Sequence, residues 1–272
     1  MSEKRISNYF HNPFEENKCS NCGHWHDAWQ PKCPKCGEKN PENRAVPFNE
    51  VTFTNPFIEV ILFIVGFAGI QLIADIIRNI IGDLNLRSTM TTVELNMLLN
   101  YGTYGILFVL LVGICSIYIP KLFKSFAKPE FLWGIMVGIV ILSFDIFWGM
   151  ITAPLGVTTN ENQTAVNDIS KPNLFLAIVF LCIIGPLCEE LTYRVGLFNF
   201  TRRINRVLGY LTVSVIFGLI HIHDYASVNE WLSYPPYVFA GLAFAFAYEK
   251  WGLGASFIAH FLVNFLATLA NS

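Results

Sequence analysis

The stretch "NLFLAIVFLCIIGPLCEELTYRVGLF", Asn173 to Phe198, decides how the chain is read. Its first twelve residues carry no charge and suit lipid, yet Glu189, Glu190 and Arg194 then arrive within six positions on the same helical pattern. A lone charge at mid-bilayer costs at least about 2.5–3.5 kcal/mol on insertion scales, so such groups are paired and mark function. Glu190 and Arg194 stand at i, i+4 and can pair along one face. Glu189 lies about 100° around the helix, which presents it to something other than the same arginine.

The whole chain agrees with a lipid setting. Its 272 residues are 53% hydrophobic and only 14% charged, with a mean hydropathy of +0.46. Such a composition excludes an ordinary soluble domain. Seven apolar segments follow a polar N-terminal region, at 57–82, 97–119, 131–153, 173–200, 207–223, 234–248 and 252–270. The fifth and sixth sit at or below the length that spans a bilayer. We therefore expect an all-α polytopic membrane protein with about seven transmembrane helices, preceded by a small metal-binding module. Its expected divisions are residues 1–46, a linker at 47–56 and a membrane domain at 57–272. Lys and Arg alternate between the connections, fourteen on one side against two on the other. The positive-inside rule then expects a multi-pass protein of the cell membrane, its N-terminus cytoplasmic and its C-terminus extracytoplasmic. The N-terminus lacks an apolar signal-peptide core and reads as mature protein. A net charge of −2 argues neither for nor against nucleic acid.

Four of the seven cysteines form "CSNCG" and "CPKCG", with Cys19, Cys22, Cys33 and Cys36 in two turns ten residues apart. Each turn offers two thiolates, and two turns close a tetrahedron around zinc. Gly23 and Gly37 suit the backbone after each second cysteine. Two disulfides are the competing reading, which a reducing cytoplasm disfavours; rubredoxin-like iron uses the same ligands and ranks below zinc. The module resembles a zinc ribbon. It carries no basic stripe with interleaved aromatics, so nucleic acid is not expected and a protein partner or regulatory role is. Cys115, Cys182 and Cys188 lie in apolar runs and read as small packing residues.

Two further patterns meet the acid of the opening stretch. "FGLIH" sets Phe217 and His221 on one helix face, and "HFLVN" does the same for His260 and Asn264. On a rise of about 1.5 Å per residue, Glu189 lies roughly 15 Å from the cytoplasmic end of its span, His221 roughly 21 Å and His260 roughly 12 Å. A common level, and with it a polar cavity, is the expectation. Asp75, Arg78 and Asp145 read as helix-end or bundle-facing pairs, although protonatable groups of this kind also serve transporters.

"EELTYR", "FGLIH" and "HFLVN" together resemble the EExxxR, FxxxH and HxxxN signature of the CPBP family, membrane proteins related to CAAX prenyl endopeptidases and bacteriocin-processing or immunity proteins. The resemblance covers about residues 131–272 and leaves the ribbon and first span unexplained. It implies an intramembrane endopeptidase, with its site in a water-filled cavity open to the cytoplasm. It also implies a water activated by glutamate. Glu189 is then the general base and His221 holds the water, while His260 and Asn264 face the oxyanion and Glu190 with Arg194 supports them. Peptide or membrane-protein segments and the lipid bilayer are the expected partners. Two alternatives accompany this reading: a metalloprotease in which Glu189, His221 and His260 hold zinc, and a non-catalytic immunity or scaffold protein that binds peptide or lipid.

Overall fold

The computed structural model describes residues 15–28, 32–40, 56–127, 129–157 and 160–270. Most of the expected linker at 47–56 and the tail before residue 15 lie outside the described residues.

In the N-terminal module, β1 (Glu16–Lys18) and β2 (Trp25–Asp27) pair antiparallel, with Glu16 opposite Asp27. The first Cys-x2-Cys turn connects them. Gly23 and Gly37 both take positive φ, 68° and 76°, and each N–H returns to the carbonyl of the turn's first cysteine at 2.9 Å. An L side chain would be strained there, which explains the repeated glycine.

Helices make up the remainder: α1 (Pro56–Asp83), α2 (Thr92–Ile114), the short α3 (Ile119–Phe123), α4 (Trp133–Thr152), α5 (Glu161–Ser170), α6 (Leu174–Ile204), α7 (Arg206–Leu219), α8 (Val228–Trp251) and α9 (Leu253–Ala270). Five are long and apolar enough to cross a bilayer: α1, α2, the stretch Pro129–Leu155 containing α4, α6 and α9. The fifth and sixth segments are the helices α7 and α8. With only 14 residues, α7 covers about 21 Å, short of a hydrocarbon core of about 30 Å. The helix α8 runs on through Pro235-Pro236. The all-helical polytopic fold therefore holds and about seven helices are compatible with it, five of them meeting the length and apolarity of a span. Large apolar side chains such as Ile64, Leu72, Val109, Val140 and Phe147 point outward, as a lipid-facing surface requires. The helix α5, between the third and fourth expected spans, has no counterpart among the seven apolar segments; Asn160 caps it by accepting from the Gln163 N–H at 2.8 Å.

The helix α6 is the axis of the bundle. It widens into π geometry over Ile178–Ile184 and Glu190–Phe198, on either side of one ordinary turn, Gly185–Glu189. Pro186 has no N–H to continue an α ladder, so the chain relaxes to the wider repeat, in which the Gly185 N–H reaches the Phe180 carbonyl. Against the second wide segment lies α1. A Cβ on Gly66 would overlap the side chain of Thr192, and one on Gly196 would lie 2.9 Å from the Phe63 nitrogen. Glycine at both positions lets the two backbones touch.

Arg202, Arg203 and Arg206 fall in the connection between the fourth and fifth apolar segments, and the structure buries the first two. Arg203 grips Glu59 of α1 with two bonds of 2.8 and 2.9 Å, both side chains buried. Arg202 is buried 4.0 Å from Glu249, whose carboxylate also takes Arg206 at 2.7 Å and the Tyr210 hydroxyl at 2.6 Å. Close packing of α1, α7 and α8 around the end of α6 draws these side chains inside. Because removing one member of a buried pair strands the other charge, Glu59→Ala should cost about 3–5 kcal/mol of stability. Thermal unfolding in detergent would show it, and the double change Glu59→Leu with Arg203→Met should return most of the loss.

Candidate active site

The carboxylate of Glu190 is fully buried and takes three partners. Its Oε1 accepts from His260 Nδ1 at 2.9 Å and lies 3.3 Å from Arg194 Nη1, while Oε2 accepts the Ser256 hydroxyl. Arg194, equally buried, stands over the Phe217 ring at 4.5 Å and the Phe244 ring at 5.0 Å and donates to the Gly241 carbonyl at 3.5 Å. The expected i, i+4 pair thus forms, but as the floor of a site assembled from α6, α7, α8 and α9.

His260 lies flat on Phe244, ring centroids 4.5 Å apart. Since its Nδ1–H is given to Glu190, Nε2 is the nitrogen turned to the chemistry, and it lies 3.7 Å from Glu189 Oε2. Glu189 Oε1 accepts the Tyr104 hydroxyl of α2 at 3.1 Å. Its Oε2 accepts no hydrogen bond from the described residues. Just past the end of α7, His221 gives its Nδ1–H to the Phe217 carbonyl at 2.7 Å and stacks on Tyr237 at 4.2 Å, leaving Nε2 as the ring's acceptor. The motif spacing FxxxH is therefore a backbone bond that fixes the tautomer.

Asn264 gives one amide proton to the Leu181 carbonyl at 2.9 Å. In a π ladder the N–H of residue 186 would bond that carbonyl, and residue 186 is proline. The Asn264 amide supplies the missing donor and ties α9 to the widened part of α6, with a second N–H left over.

Glu189, His221, His260 and Asn264 line one cavity of about 560 Å³. Glu190 and Arg194 lie beneath it. The cavity also shows residues that the motifs did not reveal. Tyr104 and Ser256 hold the two carboxylates, and no spacing in the sequence ties either to an acid more than sixty positions away. Asp145, read as a pair member, lines the cavity instead, and no Lys or Arg does. Asp75 and Arg78 do pair, on the exposed side of α1.

The cavity reaches one end of the bundle. Val157, Asn160, Asn162 and Gln163 around the start of α5, and Ser233 and Tyr237 of α8, contribute to the wall. Asn160 donates to the Tyr237 hydroxyl at 3.1 Å, and the Glu161 N–H donates to Glu230 at 2.8 Å.

The four ribbon cysteines bring their sulfurs within 4.8 Å of one another, with Cys19–Cys36 and Cys22–Cys33 at 3.6 Å. Metal–sulfur bonds of about 2.3 Å in a tetrahedron require sulfur separations of about 3.8 Å, so the set fits a thiolate-bound metal. The backbone N–H of Cys22 helps hold the Cys19 thiol down at about 6, near the thiolate form a metal needs. Against the lowering backbone N–H of Glu38, burial and the crowding thiols push Cys36 up to about 12. Among the described residues no other set of three or more His, Cys, Asp or Glu gathers its ligand atoms in this way. The trio Glu189, His221 and His260 is not so gathered, and no step is assigned to a metal there.

Fold and site together define a polytopic helical membrane protein with acid, imidazole and amide groups facing one intramembrane cavity. Residues 171–266 match the family described as type II CAAX prenyl endopeptidase Rce1-like. That stretch holds all three motifs, and the family resemblance they carry is thereby shown; at family level it is that of a CAAX-type protease. A protein of Mycoplasma capricolum subsp. capricolum, described as uncharacterized, is 27% identical over 165 residues, covering 56% of this chain and 47% of that protein. The chain thus spans about half the length of that relative. No solved structure matches.

Two outcomes are expected from this geometry. Full-length protein should hold one metal ion per chain by elemental analysis, and Cys33→Ser, at a buried ligand, should lose it. Asn264→Ala should destabilise the α6–α9 contact by about 1–3 kcal/mol, the cost of an unsatisfied buried carbonyl, measured by thermal unfolding.

Proposed function

We propose that the protein is an intramembrane endopeptidase that hydrolyses a peptide bond with a water activated by Glu189. The observation carrying this reading is the pairing of Glu189 Oε2, which accepts nothing from the described residues, with His260 Nε2 at 3.7 Å above the buried Glu190–Arg194 ion pair. A water on Oε2 gives its proton to Glu189, and its oxygen attacks the peptide carbonyl carbon. His221 Nε2 accepts a hydrogen bond from the water's second O–H and so aims the lone pair. The carbonyl oxygen becomes an oxyanion, which the second Asn264 N–H and a protonated His260 Nε2 stabilise. The Glu190 carboxylate offsets the charge on that ring, and Arg194 fixes Glu190. When the intermediate collapses, the C–N bond breaks and Glu189 returns its proton to the leaving amine. The products are a carboxylic acid and an amine, which become a carboxylate and an ammonium when the acid's proton passes to the amine, with no change in proton count on the enzyme.

The ribbon is assigned zinc, which four closely spaced thiolates of this kind favour, and a role in binding a protein partner. The basic connections, together with thiols suited to a reducing compartment, support a cytoplasmic N-terminus and an extracytoplasmic C-terminus in this reading. The division at 47–56 separates the two modules in this reading.

Full-length protein in liposomes, screened against a peptide library, should lose about 10²–10⁴-fold in hydrolysis on Glu189→Gln, the usual worth of a general base. An unchanged rate, or full cellular function in that variant, would make the protein a binder instead. With the ribbon cysteines replaced by serine, a chelator should leave hydrolysis intact; loss with the chelator and recovery with zinc would show metal chemistry at the cavity.

A further inference from the structure

We infer that the cavity receives its substrate from the extracytoplasmic side, so that the polypeptide cleaved is one presented outside the cell membrane. This rests on the peptidase reading for the word "cleaved", but its geometry is independent of it. It is the reverse of the cytoplasmic opening that the family resemblance implies.

Contacts sort the helix ends into two groups. At one end Arg203 of α6 grips Glu59 of α1, Arg206 of α7 grips Glu249 of α8, and the Gly254 N–H of α9 donates to the Ser125 hydroxyl at 3.0 Å. Here the N-termini of α1, α7 and α9 meet the C-termini of α6 and α8. At the other end the Tyr101 hydroxyl of α2 donates to the Ile169 carbonyl of α5, and Trp148 Nε1 of α4 donates to the Leu232 carbonyl of α8 at 2.6 Å. The wall of the cavity runs from this second end into the middle of the bundle. From α6 come residues between Phe180 and Glu189, from α8 those between Leu232 and Phe244, and from α9 those between His260 and Thr268. Nothing on the wall comes from residues 198–206 or 245–259.

Charge then orients the two ends. Within about twenty residues of a span end, the first end has nine Lys and Arg in sequence, and the second has Arg78, Arg87 and Lys171. The tetrathiol module precedes α1 on the first end, and its free cysteines suit a reducing cytoplasm. Both lines put the arginine-clamped end inside, which leaves the cavity entrance outside. Glu189 is then reached from outside past Asn160, Asn162 and Ser233. With Asp145 and Glu189 on the wall and no Lys or Arg, the entrance favours neutral or cationic segments over acidic ones.

Labelling of single cysteines in intact cells expressing the full chain tests this without reference to activity. Ser233→Cys lies on the cavity wall and Lys250→Cys at the arginine-clamped end. A membrane-impermeant sulfonated thiosulfonate should modify Ser233→Cys in intact cells and Lys250→Cys only after permeabilisation, above the background of the unaltered chain. Modification of Lys250→Cys from outside, or of Ser233→Cys only after permeabilisation, would overturn the inference. Reaction of both after permeabilisation verifies that each thiol is present and reactive. Failure of the Glu189→Gln hydrolysis test would remove the peptidase and leave this orientation untouched.

Discussion

Burying the Glu190 carboxylate and the Arg194 guanidinium is the constraint on which the rest depends. Each ion leaves water at a cost of several kcal/mol, repaid only when geometry and further hydrogen bonds are near ideal. The protein surrounds the pair on α6 with groups from three further helices: His260 and Ser256 from α9, the Gly241 carbonyl and Phe244 from α8, and Phe217 from α7. Helices held in register by those contacts have Glu189 and His221 facing the same cavity.

A second constraint acts through Pro186. Its missing N–H lets α6 adopt a wider repeat and frees the Leu181 carbonyl, which Asn264 reclaims. The same amide that binds α9 to α6 therefore keeps one N–H for the cavity. Structure and proposed chemistry are coupled at this residue, so its substitution disturbs both.

The two ends of the bundle are treated differently. Buried arginine–glutamate pairs clamp one end, with Glu59 and Glu249 each gripped by two bonds or more. The other end is tied by amide, hydroxyl and indole donors around Asn160, Tyr237 and Trp148, and by the buried Glu230 carboxylate, which accepts the Glu161 and His223 N–H groups. These ties use no arginine, and the cavity reaches this end.

Hydrophobic runs, the two Cys-x2-Cys-Gly turns and the three helical spacings belong to local sequence, and from them the helical membrane fold, the tetrathiol set and the six candidate residues were legible. Period and spacing survive in a linear reading because each lies within one helix or one turn. Tyr104, Ser256 and Asp145 did not, since their partners or walls are contributed by distant segments. Nor did the burial of Arg202 and Arg203, which look like loop charges until α1 and α8 close over them. The π geometry of α6 and the end at which the cavity opens were likewise decided by packing. A chain dictates which side chains share a helix face; only neighbouring helices dictate what that face meets.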